Sequence, residues 1–484
     1  MKESLIGIAL IAVLPLGITH GTAAEPATDR PNIVFILADD LGWGDLSCYG
    51  HERLRTPQLD RLAAQGTLFT QFYVNGSVCS PSRCAFFTGQ YPARQRIHGH
   101  YADPQQNADR GMSQWLDPQV PNVAALLKAS GYATAHIGKW HLGSGPGAPT
   151  PQAYGFDYVK SVVSNEPAWI EPAAVLWPKS STLIVDEALD FIRQHKDEPF
   201  YVQAWMLLPH APLNPTEEQL KPFLNFSSGG AADWAAVPHK TAETIYYASV
   251  ADLDAQVGRL VHEIDALGLG KNTLIVFSSD NGPEDIHIKN AGHSGVGSAG
   301  PFRGRKRSLY EGGIRVPFIV RWPDRVPAGR IDKDSVVAGV DFLPTVCQLV
   351  GATPPNAPAL DGEDVHDILL GTSRPRRKPL HWEWRFRVFG EPFHRSPQLA
   401  IRDGDWKLLM NPDRSRVELY DIKADPAQLD NVAQQHPEVV EKLAAQVLSW
   451  QQTLPAGPVE ASAGKSDYRW PGTPVPKPAG KKKR

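Results

Sequence analysis

The chain predicts an α/β fold in which a mostly parallel sheet is flanked by helices, followed by a smaller C-terminal α+β domain containing an antiparallel sheet. Three observations carry this. Apolar runs without polar alternation recur along the first part of the chain, Ile33 to Ala38 being the clearest, and strands covered on both faces read this way. Each run ends in charged or polar groups, and ligands of open α/β sheets gather beyond the carboxyl ends of strands. Near residue 370 the texture changes to short strands followed by one amphipathic helix, the pattern of a separate α+β unit.

In chain order, Met1 to Ala24 carries Lys2, an apolar run from Leu5 to Ile18, and Thr22-Ala23-Ala24 before Glu25. This reads as a secretory signal peptide over 1–24, too short an apolar run to remain as a membrane span. The expectation is a periplasmic or secreted protein without stable membrane insertion. A large domain is expected over 25–370, a small one over 371–453, and a disordered tail over 454–484. The 484 residues suffice for both cores, and a net charge of −3 gives no sign of nucleic-acid binding. Four cysteines are few for an exported protein, and no disulfide is expected.

Pro31 to Ala38 is the first strand, ending at Asp39-Asp40 before the glycine-containing turn Leu41-Gly42-Trp43-Gly44-Asp45. Thr56 to Ala63 has helical spacing. Val78-Cys79-Ser80-Pro81-Ser82-Arg83-Cys84 then opens a short buried helix, with Ser80 expected as N-cap, Pro81 as first helical residue and Gly89 as the stop. A helix start concentrates unpaired N–H groups and partial positive charge, so an anion is favoured beside Cys79, with Arg83 adding a full charge. Val123 to Ala129 reads as a helix, and Tyr132 to Ile137 as a strand delivering Gly138-Lys139-Trp140-His141-Leu142-Gly143.

Pro199 to Leu208 is a further strand, followed by Pro209-His210-Ala211-Pro212; Glu243 to Leu267 is a long amphipathic helix. Thr273 to Phe277 ends in Ser278-Ser279-Asp280-Asn281-Gly282. A glycine-rich stretch from Ala291 to Gly300 precedes Lys306, which is flanked by Arg303, Arg305 and Arg307, and then Tyr310-Glu311-Gly312-Gly313 leads into another strand. Asp341 to Val350 is a helix, and Arg374 to Pro379 reads as a linker. Short strands follow over Leu380–Arg385, Leu399–Arg402, Trp406–Met410 and Glu418–Asp421, then a helix over Pro437–Gln452.

Asp39, Asp40, Asp280 and Asn281 offer oxygen ligands from two strand ends. Carboxylates crowded together repel unless a cation joins them, and an all-oxygen set suits Ca2+ or Mg2+ over zinc. Taken singly, each pair would serve equally as turn residues. Cys79 reads either as an inert buried thiol or as the nucleophile of a cysteine hydrolase with a nearby histidine. His210 between prolines is evenly divided between structure and site.

Cys79-Ser80-Pro81-Ser82-Arg83, followed by Phe87-Thr88-Gly89 where Leu-Thr-Gly is usual, resembles the signature of type I sulfatases. The resemblance extends through Gly138 to Gly143, Asp280-Asn281 and Glu418-Leu419-Tyr420-Asp421. It implies an alkaline-phosphatase-like fold and a Cys79 oxidised to Cα-formylglycine, whose hydrated aldehyde is the nucleophile. It also implies a divalent cation, usually Ca2+, on Asp39, Asp40, Asp280, Asn281 and the modified Cys79. Arg83 is then a partner of the hydrated aldehyde or the metal-site carboxylates, Lys139 a partner of the sulfate or the modified residue, His141 the base acting on that residue, His210 the general acid, and Lys306 a second sulfate-binding lysine. A formylglycine-generating or anaerobic sulfatase-maturating enzyme is an implied partner.

The sequence is similar to glycan sulfatases such as the N-acetylgalactosamine-6-sulfatase group, so a sulfated carbohydrate is the expected substrate. His287, His293, Trp382 and Trp384 are expected to shape a sugar pocket. Formylglycine-dependent phosphonate and phosphodiester hydrolases share the Cys-x-Pro-x-Arg core and remain an alternative, as does a sulfated-glycan-binding protein without turnover.

Overall fold

The computed structural model describes residues 30–143, 146–162, 173–224, 239–285, 293–355 and 359–469. The signal segment 1–24 and His287 lie outside them. Among the described residues, no helix is long and apolar enough to cross a membrane, and all four cysteines are free.

The large sheet is built from β1 (Asn32–Ala38), β2 (Thr67–Phe69), β4 (Ala133–Lys139), β5 (Tyr158–Val162), β6 (Phe200–Trp205), β7 (Thr273–Ser279), β8 (Phe318–Arg321) and β9 (Arg330–Asp332). Their order is β5-β4-β6-β1-β7-β8-β2-β9, and β8 alone among them runs against the rest. A two-stranded ladder pairs β3 (Phe72–Tyr73) with β10 (Val337–Ala338). β1 sits between β6 and β7 and is buried along its whole length. That explains its unbroken apolar run, since its two faces enter two different cores. Ile33, Phe35 and Leu37 join Tyr201, Trp205 and Val276 on one side. Val34, Ile36 and Ala38 join Val202, Ala204 and Phe277 on the other.

The small domain is an antiparallel sheet in the order β11 (Leu380–Glu383), β12 (Leu399–Asp403), β13 (Trp406–Met410), β14 (Glu418–Asp421). The helix Pro437–Gln452 covers it with Leu443, Ala444, Val447 and Trp450. Its core is continuous with one core of the large sheet. At the seam, Lys407 Nζ donates to Glu311 Oε1 at 2.7 Å with both side chains fully buried. Tyr73 donates to the other oxygen of Glu311 at 2.6 Å, and Arg402 donates to the Tyr73 hydroxyl.

Several expectations change. The helix Cys79–Thr88 begins at Cys79, with Val78 in extended conformation as its N-cap. Pro81 is therefore the third helical residue, where its missing N–H is still one of the donors without an intrahelical partner. Ser80 does not cap; its hydroxyl accepts from Tyr101 N–H at 3.0 Å. Gly89 is the left-handed stop, with φ 68°.

The stretch read as a linker is pinned. Arg374 binds Asp367 and Glu363, Arg376 forks onto Asp341, and Lys378 donates to the carbonyls of Leu360 and Gly362. Its acidic partners lie up to 35 residues upstream, so local composition alone gave no sign of them. The segment expected to be a disordered tail packs on the small domain from Pro455 to Arg469. Glu460 N–H donates to Arg385 O at 2.9 Å, and Arg395 donates to Ser466 O at 2.9 Å. Trp382 and Trp384 are packing residues, 1% and 4% exposed; Trp382 donates its indole N–H to Val74 O at 2.7 Å.

Replacing Lys407 by Met leaves Glu311 buried with fewer cations around it. The variant should lose about 3 kcal/mol of stability in chemical denaturation. Burial alone would raise the Glu311 carboxyl, but Lys407, Arg315 and Arg402 outweigh it and hold it down from 4.5 to about 2. Its ionisation therefore stabilises the fold above pH 4.5, and that contribution is lost as pH falls toward 2. Stability measured across this window should fall more steeply in the parent protein than in Glu311→Gln.

Candidate active site

Four neighbouring parallel strands, β4, β6, β1 and β7, present their carboxyl ends side by side. β1 delivers Asp39 and Asp40, β7 delivers Asp280 and Asn281, β4 ends in Lys139 with His141 beyond it, and His210 follows β6. The helix Cys79–Thr88 lies across this edge with every residue buried. Phe86 packs edge-on against Phe35 of β1 at 5.1 Å. Phe87, which replaces the usual aliphatic residue, fits among Trp140, Tyr154 and Phe156.

Each carboxylate has its own cation. Asp280 Oδ2 accepts from Arg83 Nε at 3.0 Å and Nη2 at 2.7 Å, while Arg83 Nη1 donates to Lys139 O at 2.6 Å. The guanidinium also lies over the Trp205 ring, 5.1 Å from its centroid. Asp39 Oδ2 is paired with Lys139 Nζ. Both oxygens of Asp40 accept from Lys306 Nζ, at 2.6 and 2.7 Å, and Asn281 Nδ2 donates to Asp40 Oδ1 at 2.7 Å. The arginine-rich neighbourhood of Lys306 is thereby sorted. Arg303 goes to Tyr420 and backbone carbonyls of the small domain, Arg305 to the carbonyls of Glu284, Gly295 and Gly297, and Arg307 to Glu284.

Two close approaches require glycine. A Cβ on Gly138 would lie 1.9 Å from Trp205 O, and its φ is 106°; one on Gly282 would lie 1.9 Å from Gly312 O. Gly282 thus lets the Tyr310-to-Gly313 motif press against the Asp280-Asn281 turn. Asp40, His141 and Arg307 have φ of 68°, 53° and 74°, a region where side chains other than glycine are strained.

The two histidines have defined proton positions. His141 Nε2 contacts Tyr101 O at 3.0 Å and so carries the proton, leaving Nδ1 buried and, among the described residues, without a partner. Burial first, then Lys139, pushes its pKa well below the ordinary range. His210 Nδ1 contacts Ala211 O at 2.5 Å, and its Nε2 lies 3.8 Å from Asp40 Oδ2. Burial and Lys139 push it down to about 3. Cys79 is 2% exposed, and burial raises its thiol despite Lys139 and Lys306 nearby. A thiol so placed stays protonated and is a poor nucleophile.

A cation fits the acidic end of the site. Among the described residues, Asp39 Oδ1 and Asn281 Oδ1 are buried oxygens with no hydrogen-bond donor, Arg83 Nη2 standing 3.8 Å from Asp39 Oδ1, a costly state that a cation nearer to them would relieve. Ligand atoms of Asp39, Asp40 and His210 all lie within 4.8 Å of one another. Hard oxygen donors dominate the set, which suits Ca2+ or Mg2+.

All ten residues expected at the catalytic and metal centre share this edge. His293 opens a short turn whose Ser294 hydroxyl donates to Pro209 O at 2.7 Å, next to His210. Sequence reasoning missed Glu284, buried 3.5 Å from Lys306 and ion-paired with Arg307. Its position three residues after Asn281, in the same loop, was the available signal. Tyr101, which orients His141, had none.

A family model described as sulfatase matches residues 31–352, and one described as N-sulphoglucosamine sulphohydrolase, C-terminal, matches 300–453. The chain is 33% identical over 431 residues to human arylsulfatase A, covering 85% of this chain and 81% of that protein. It is 29% identical over 510 residues to N-acetylgalactosamine-6-O-sulfatase of Bacteroides thetaiotaomicron, covering 86% and 92%. A solved structure of Ps i-CgsB in complex with k-i-k-neocarrahexaose superposes with TM-score 0.73 at 25% identity, covering 90% of this chain and 96% of that one. The phosphonate monoester hydrolase of Agrobacterium radiobacter, at TM-score 0.62, 22% identity and coverages of 87% and 96%, shares the fold alone. With its alkaline-phosphatase-like sheet, its antiparallel small domain and these matches along both, the chain belongs to the sulfatase family and is a sulfuric ester hydrolase.

Proposed function

We propose that this protein hydrolyses a sulfate ester carried on a sulfated carbohydrate, using Cα-formylglycine made from Cys79 and a divalent cation held by Asp39, Asp40, Asp280 and Asn281. The observation that carries the reading is a buried Cys79 under the charges of Lys139 and Lys306, beside three carboxylates one of which His210 approaches to 3.8 Å. When present, the modified residue supplies a hydroxyl nucleophile and the cation draws charge from the sulfuryl oxygens. N-acetylgalactosamine-6-O-sulfatase and the neocarrahexaose complex among the relatives favour a glycan substrate.

The chain's own groups divide the remaining work. Lys139 and Lys306 bring two buried positive charges to where a sulfuryl group develops negative charge, in a water-poor site where such charges act strongly. Arg83 fixes Asp280 and the end of β4, so that Lys139 and the nucleophile keep a constant relation. His141 is neutral and keeps Nδ1 as an acceptor, the state required of a base at position 79. His210 has Nδ1 committed to Ala211 O, so Nε2 is the nitrogen that passes a proton to the departing alcohol. That nitrogen is protonated once a bound anion offsets the burial that holds His210 near 3. A maturating enzyme for Cys79 and a periplasmic or secreted location follow from the same reading, the latter from segment 1–24.

Release of free sulfate from a panel of sulfated oligosaccharides tests the substrate class. Faster turnover of an aryl phosphonate than of an aryl sulfate would instead favour the phosphonate reading. Peptide mass spectrometry of the active protein should show the aldehyde at position 79, and Cys79→Ala should lose about 10⁴-fold or more in kcat/KM. Full activity in protein that retains the thiol would overturn the mechanism. Chelating divalent cations should abolish turnover and lower the melting temperature. Re-adding Ca2+ at a hundredfold excess over its Kd should return about 2.7 kcal/mol of stability.

A further inference from the structure

A second region of the molecule collects positive charge with no role in the site above. A cavity of about 460 Å³ opens where the two domains meet, lined by the β9–β10 loop, the pinned segment Ser373–Lys378, and the turn between β12 and β13. It is large enough for a ligand of several sugar units' worth of polar groups. Charged residues make up most of its lining, and its cations include Lys333, Lys378, Arg402 and Lys423.

Among the described residues, none of these four places a side-chain nitrogen within 4 Å of a carboxylate oxygen. Arg402 is 3% exposed, and its donors go to the Tyr73 hydroxyl, Gln71 Oε1 at 2.6 Å and Gly404 O at 3.1 Å, all neutral groups. Lys378 Nζ donates to Gly362 O at 2.7 Å and Leu360 O at 3.1 Å, again neutral. Lys333 and Lys423 are exposed, and their ammonium groups form no ion pair. Of the acids in the lining, Asp403 is already paired with Lys442 at 2.9 Å, leaving Asp334 and Asp405. Behind Arg402, Glu311 is a single carboxylate shared by Lys407, Arg315 and Arg402. A protein with net charge −3 thus carries a concave patch of excess positive charge.

Topology puts the patch on the same side as the reactive centre. β2 and β9 run in the same sense as β1, so Gln71 and Lys333, just beyond their carboxyl ends, leave the sheet at the edge where Asp39 and Asp40 leave it. Four strand spacings separate β9 from β1, about 19 Å. A ligand that reaches both is an extended chain with repeated negative charges.

We propose that this cleft is a secondary binding site for the sulfated polysaccharide chain, engaging anionic groups several sugars away from the ester being cleaved. The ligand class rests on the glycan reading of the active site; the cationic cleft itself does not. Its function is to raise affinity for long chains without touching the chemistry, as a second tethered contact does.

The test uses Lys333→Ala/Lys423→Ala in the full chain, both positions exposed and outside the catalytic machinery. KM for chondroitin sulfate chains should rise up to about fivefold for each lysine lost, while kcat on those chains and kcat/KM on a disaccharide prepared from them stay unchanged. An equal effect on chain and disaccharide, or no effect on either, overturns the proposal. Direct binding of the same chains to Cys79→Ala protein separates this from the active-site reading. The lysine pair should weaken that binding, in a salt-dependent way, even if the chains prove not to be substrates. Binding of inorganic sulfate as tight as that of the chain, and equally reduced by the lysine pair, would show a small-anion site and overturn the polysaccharide assignment.

Discussion

The structure depends on keeping three buried carboxylates, Asp39, Asp40 and Asp280, within one small volume. Each is no more than 1% exposed, and an ionised group taken out of water costs several kcal/mol unless it is paired. The fold answers by bringing one cation to each from a different element: Arg83 from a buried helix, Lys139 from the strand β4, and Lys306 from a long loop. Much of the surrounding architecture serves that pairing. Phe86 and Phe87 seat the helix that carries Arg83, and Gly282 lets the Tyr310-to-Gly313 turn close on the Asp280-Asn281 turn. The same concentration of charge that threatens the fold is what a sulfuryl-transfer site needs.

How much of this could be read in the sequence depended on distance along the chain. The strand exits were legible because β1 and β7 are covered on both faces, so their apolar runs are continuous and stop where the polar groups begin. The start of the Cys79 helix was misplaced because Ser-Pro is a strong local capping signal, yet tertiary contacts had other uses for it: Ser80 binds the Tyr101 backbone. Arg374 to Lys378 read as a linker because its acidic partners sit in residues 341–367. Glu284 escaped notice for a related reason. It is ordinary alone and acquires meaning only once Asp40, Lys306 and Arg307 are its neighbours in space.

The small domain is more than an appendage. Its sheet shares a core with the large domain, and Trp382 reaches across to hydrogen-bond Val74, a few residues before Cys79. Trp382 is thus occupied in holding the domains together, as is the basic stretch Arg374 to Lys378, while Trp384 packs within the small domain with its indole N–H on Arg387 O. A fold shared with a phosphonate monoester hydrolase leaves the choice of chemistry to the side chains at the sheet edge and the loops around it.

The left-handed backbone at Asp40, His141 and Arg307 bears on how such a chain tolerates change. Each of these residues stores conformational energy that the rest of the molecule must offset. Lineages selected for durability alone would relax these three positions toward glycine or asparagine before they altered the core. Heat-resistant descendants that have lost turnover should therefore carry their scars in the loops of the reactive edge, with the sheet beneath unchanged.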